Sequence, residues 1–146
     1  VLHPATFSRT DVSPNPAPLP VVWAGPVVGV LLPLAAYALA AAVRLPGRYL
    51  LRFFAGFCLV ANGAYIGVGS FARLADAGDM LRHGSPHWHL LLFGVLTVPA
   101  GLYLWNGLRP HFGLGPTARR VDRRAAGAML ALLVVVVAAE LAFSPR

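Results

Sequence analysis

Four long apolar stretches fall within 146 residues, and they leave the chain few folds to choose from. They cover 21–43, 49–69, 88–107 and 125–143. A helix needs about 20 apolar residues to cross the hydrocarbon core of a bilayer. Inside that core every backbone N–H and C=O must be paired within the protein, which favours helices for segments of this length. The chain is 58% hydrophobic and 12% charged, against about 25% charged residues in soluble domains. A water-soluble fold of this size would have nowhere to hide so much apolar surface. The predicted fold class is therefore an all-α membrane protein, with about four transmembrane helices forming one domain over 21–146 and a short extended segment over 1–20.

Five prolines lie in the first twenty residues. Their density over 11–20 predicts that no helix forms there, and 1–10 reads as a short strand or an irregular extended stretch. In the first span Pro26 fits a first-turn position, whereas Pro33 predicts a kink. The short Arg44-Leu-Pro-Gly-Arg48 connection makes the first two helices antiparallel neighbours. Asn62 lies at membrane depth in the second span and should face protein, because lipid offers its amide no partner. Cys58, the single cysteine, has no partner for an intrachain disulfide and reads as a small buried hydrophobe. The helical pattern of the second span continues through Ser70 to Leu81, until Gly84-Ser-Pro86 ends it. On that continuation Asp76, Asp79 and His83 recur at i, i+3 and i+7, which places them on one face.

All twelve basic residues are arginine, and the net charge is +7. In a soluble protein such a charge would suggest a nucleic-acid partner. Here its distribution is better read as membrane orientation, and the expected partner is the lipid bilayer, with no nucleic acid. Arg44, Arg48 and Arg52 flank the first connection, and Arg109, Arg119, Arg120, Arg123 and Arg124 belong to the third. The positive-inside rule puts both connections in the cytoplasm and the Asp76–Asp79 connection on the other side.

Chemistry has few places to reside. The carboxylates Asp76 and Asp79, with His83, His87 and His89 close by, are ligand types suited to zinc. The same residues also fit a solvated helix end beside an interfacial histidine cluster. No histidine lies mid-span, which argues against a haem held between helices. Ser70 and Ser85 have no matched histidine and aspartate spacing for a nucleophilic triad. Glu140 reads as a helix-end side chain reaching toward the headgroups.

The run Asn15-Pro-Ala-Pro-Leu-Pro-Val-Val-Trp-Ala-Gly-Pro26-Val-Val-Gly29 resembles the start of the second core helix in site-2-protease-like intramembrane zinc metallopeptidases. The stretch Phe57-Cys-Leu-Val-Ala-Asn62-Gly-Ala-Tyr65, followed by Asp76-Ala-Gly-Asp79, is similar to the bacterial branch of that family, and the opening residues resemble the extended stretch after its first catalytic helix. The resemblance extends to about Gly115. It implies a bacterial inner-membrane hydrolase that cleaves transmembrane protein substrates with a zinc-activated water. In such enzymes two histidines of a His-Glu-x-x-His helix and one later aspartate hold the metal, and the glutamate is the base. The resemblance makes Asp79 or Asp76 the third zinc ligand, and gives Asn62 a supporting role near substrate or metal. This chain contains no His-Glu-x-x-His, and its only glutamate, Glu140, has no histidine near it. The expectation is a C-terminal portion, or a degenerate relative, of such a peptidase, inactive by itself and completed by a helix upstream of Val1. The alternative is a non-catalytic four-helix membrane protein or a small subunit of a membrane complex.

Overall fold

A computed structural model describes residues 16–116, 120 and 122–143. The N-terminal extended segment predicted for 1–20 falls outside the described residues up to Asn15. All regular structure among the described residues is helical: α1 (Pro18–Ala42), α2 (Arg48–Gly69), α3 (Ala75–Arg82), α4 (His87–Trp105) and α5 (Arg123–Phe143), with a short 3-10 turn at Arg109–Phe112. The described residues divide into one unit that begins at Pro16 and carries α1 to α4, and another that carries α5.

Three helices, α1, α2 and α4, are long and apolar enough to cross a membrane. α1 begins earlier than its prolines predicted. Pro18 is the first helical residue and Pro20 the third. The N–H groups of a first turn have no partner inside the helix, so proline costs nothing there. Pro26 and Pro33 are both accommodated within the continuous helix. In the second unit, the Asp122 carboxylate accepts hydrogen bonds from the N–H groups of Arg124 and Ala125 at 2.9 and 3.3 Å. That is an N-cap, and it fixes the start of α5.

Within Pro16–Arg119 the apolar pattern is turned outward. Val28, Leu32, Leu39, Val68 and Val95 are more than half exposed, whereas small residues fill the helix contacts. α2 and α4 pack along a glycine seam. Gly67 meets Gly94, Gly63 meets Thr97, and Gly56 meets Gly101 and Trp105. The pairs run in opposite order along the two helices, so the helices are antiparallel. A Cβ added to Gly94 would stand 2.9 Å from the Gly63 carbonyl oxygen. Close backbone approach of this kind is how helices associate where lipid removes the usual hydrophobic drive. Thr97 contributes without a polar cost, because its hydroxyl donates to the Phe93 carbonyl at 2.7 Å.

The predicted continuation of the second helix through Leu81 does not occur. α2 ends at Gly69, and 70–74 form a turn before the separate helix α3. The Leu74 N–H donates to the Gly69 carbonyl at 3.0 Å, the Arg73 N–H to that of Ser70 at 3.4 Å, and Arg73 adopts φ +50°. This is the six-to-one and five-to-two bonding of a Schellman ending, with arginine in the left-handed position that glycine usually fills. The turn lays α3 against the bundle. Ala77 and Met80 join Ile66 and Leu90 in a fully buried cluster, with Val22, Trp23, Leu81 and Phe93 packed around it. Gly78 is needed because a Cβ there would collide with the Arg73 carbonyl.

Candidate functional site

α3 carries the acidic pair one helical turn apart. Its apolar side, Ala77 and Met80, is held in the core, so its carboxylates stand away from that cluster. Asp76 is exposed. Asp79 is half-buried and forms an ion pair with Arg82 at 3.0 Å. His83 follows them at the end of the helix, where its N–H donates to the Asp79 carbonyl at 3.0 Å. α3 stops at Arg82, and His83 occupies the C-cap with φ −88° and ψ 15°.

The neighbouring histidines are engaged elsewhere. His87 opens α4, and its Nε2 lies 2.8 Å from the buried Ser70 hydroxyl. Ser70 has one proton, and it points to the Gly67 carbonyl at 2.6 Å. The serine oxygen must therefore accept from His87, which fixes the proton on Nε2. Phe71 packs edge-on to the same ring with centroids 5.2 Å apart. His89 lies against Trp88 at 4.0 Å. Ser85, the other serine weighed as a nucleophile, accepts from the Trp23 indole at 3.3 Å and ties α1 to the loop before α4. Both serines are joints between elements.

Asn62 faces protein. Its amide nitrogen donates to the Cys58 carbonyl at 2.8 Å, and a Cβ on Gly29 of α1 would lie 3.2 Å from its side-chain oxygen. It sits seven residues before the end of α2, about 10 Å down the helix axis, so it serves the α1–α2 contact.

These residues do not by themselves fit a zinc ion. No group of three histidine, cysteine, aspartate or glutamate side chains comes together among the described residues. Of the two carboxylates that are near each other, one is already paired with an arginine. A structural or catalytic zinc site takes at least three protein ligands.

At the opposite end of α2 lies a feature that the sequence reading passed over. Arg44, Arg48 and Arg52 line a recess of about 650 Å³ together with Tyr37, Tyr49 and His111. Arg52 donates through Nη2 to the Asn106 carbonyl at 2.8 Å, which joins α2 to the end of α4. Tyr49 stacks on His111 with centroids 4.8 Å apart. The arginines were legible as an orientation signal; their convergence with His111, far along the chain, was not.

Among the described residues, fold and site together define an all-helical protein with three helices of membrane-crossing length, an acidic helix beyond one end of α2 and an arginine-lined recess at the other. Comparison with known proteins adds no narrower identity: no family model matches, and no match is found among curated proteins or solved structures.

Proposed function

We propose that the chain is an integral membrane protein in which α5 is a fourth span, and that it is the acidic arm of an intramembrane zinc peptidase in the bacterial inner membrane. On this reading Asp79, or Asp76, contributes a single carboxylate to a metal whose histidines and general base belong to a helix outside residues 1–146. The observation that carries the reading is the seating of α3. A polar eight-residue helix is anchored by Ala77 and Met80 to the end of an apolar helix pair, which holds two carboxylates together at that end of the pair. No catalytic step is assigned to this chain, because it holds neither the base nor the other ligands.

The test uses the whole gene product. A His-Glu-x-x-His read in frame upstream of Val1, together with zinc in the purified protein that falls on Asp79→Asn or Asp76→Asn, supports the reading. A reading frame without that helix, or zinc that is indifferent to both substitutions, sinks it. The second reading, a non-catalytic bundle or small subunit, draws on the Asp79–Arg82 pair, since a carboxylate satisfied by its own helix needs no metal. Retained function of a membrane complex in the Asp76→Asn/Asp79→Asn double variant would favour it.

A further inference from the structure

We propose that the recess between the α1–α2 connection and the Arg109–Phe112 turn binds the phosphate group of an anionic phospholipid. This rests on reading α1 and α2 as membrane spans. Three arginines line the recess, Arg44, Arg48 and Arg52. Among the described residues the ion pair recorded is Asp79–Arg82, beyond the far end of α2. That helix has 22 residues, so about 33 Å separates its two ends. The three cations therefore have no carboxylate of the described Pro16–Arg119 unit close enough to neutralise them. Packing like charges around one cavity is unfavourable unless an anion joins them, and arginine presents a planar fork of donors that matches phosphate oxygens.

The backbone fixes the position of Arg44. α1 ends in a Schellman motif: the Leu45 N–H donates to the Ala40 carbonyl at 2.8 Å and the Arg44 N–H to that of Ala41 at 3.2 Å. Arg44 fills the left-handed position at φ +53°. Glycine fills the corresponding position in the endings at Gly84 and Gly113, with φ +89° and +72°. Arginine there is more strained than glycine would be, so the motif sets where the Arg44 side chain departs from the backbone. Arg73 occupies the same motif at the end of α2, away from the recess, and so provides a matched control.

The location selects the source of the phosphate. The recess opens where two membrane-length helices meet their connection, at the level of lipid headgroups. The aromatic pair Tyr49 and His111 forms one wall, and Leu108, only 4% exposed, lies in its lining. Basic pockets at the cytoplasmic ends of membrane helices suit phosphorylated headgroups, at about five-fold in affinity per arginine.

The test is the melting of the chain in zwitterionic detergent, followed by tryptophan fluorescence, with added phosphatidylglycerol, phosphatidylcholine or millimolar inorganic phosphate. Phosphatidylglycerol is expected to raise the melting temperature where phosphatidylcholine does not. The Arg44→Gly/Arg48→Gln double variant should weaken the apparent phosphatidylglycerol affinity by about twenty-five-fold. Arg73→Gly should leave it unchanged, although both glycine substitutions relieve the same strain and should raise the melting temperature without lipid. Equal protection by the two lipids, an unaffected double variant, or an equal loss in Arg73→Gly would overturn the proposal. Protection by inorganic phosphate alone would assign the recess to a free anion and overturn the lipid. A chain that stays dispersed in water without detergent would instead remove the membrane reading on which the proposal rests.

Discussion

Gly101→Ala tests whether the α2–α4 glycine seam holds the fold together. The added methyl carbon would stand 2.6 Å from the Gly56 carbonyl oxygen, 2.7 Å from a Val60 methyl and 3.0 Å from the Leu59 Cβ. One obstacle is backbone, and the other two are β-branched or close to the main chain, so no side chain can swing aside. Reaching ordinary contact at 3.4 Å requires the helices to part by about 0.8 Å. A gap of that size forfeits a quarter to a half of the dispersion energy of each facing atom pair. Overpacking of this kind costs roughly 1–3 kcal/mol. Replacing a helical glycine by alanine returns up to about 1 kcal/mol of helix propensity. The expected net effect is a destabilisation of up to about 2 kcal/mol. Gly127→Ala on α5 is the control, because nothing lies within 4 Å of the added methyl; only the propensity gain should remain, with the opposite sign. The assay is reversible unfolding in mixed micelles, with Trp105 as reporter, since its indole donates to the Phe53 carbonyl across the same seam at 3.0 Å. If the two alanine variants shift stability in the same direction, the close-packing account is wrong.

Other outcomes follow from single contacts. The His87 ring should be protonated at Nε2, which nitrogen-15 shifts report directly; a proton on Nδ1 would contradict the Ser70 geometry. Trp23→Phe removes the indole donor to Ser85 while keeping an aromatic ring against Phe93, and should cost about 1 kcal/mol. Arg82→Ala breaks the exposed pair with Asp79, and should change stability by no more than about 1 kcal/mol; a larger loss would mean that α3 depends on that pair rather than on Ala77 and Met80.

Helix formation and placement followed from local pattern. α2 and α4 begin within one residue of the apolar limits and α2 ends at the same glycine, because in these segments chain length and apolarity alone decide the state of the backbone. α1 starts three residues earlier than expected, since prolines that forbid a helix interior are harmless in a first turn. The break after α2 was hidden for a different reason. Neither glycine nor proline marks 70–75, and the left-handed positions are taken by Arg73 and Ala75. Nothing in the local sequence announces a turn there; burying Met80 against Ile66 and Leu90 imposes it.

The same division holds for the polar residues. Periodicity along one segment identified Asp76 and Asp79 as neighbours, because one helical turn suffices to bring them together. It could not show that Asp79 pairs with Arg82, that His83 caps the end of α3, or that Ser70 engages His87. By itself the sequence determined which segments are helical and apolar, since those properties depend on residues a few positions apart. Tertiary structure alone decided that glycines 56, 63, 67, 94 and 101 form one seam and that Arg44, Arg48, Arg52 and His111 share one recess. Such meetings depend on how helices far apart in the chain pack, and no local spacing encodes that.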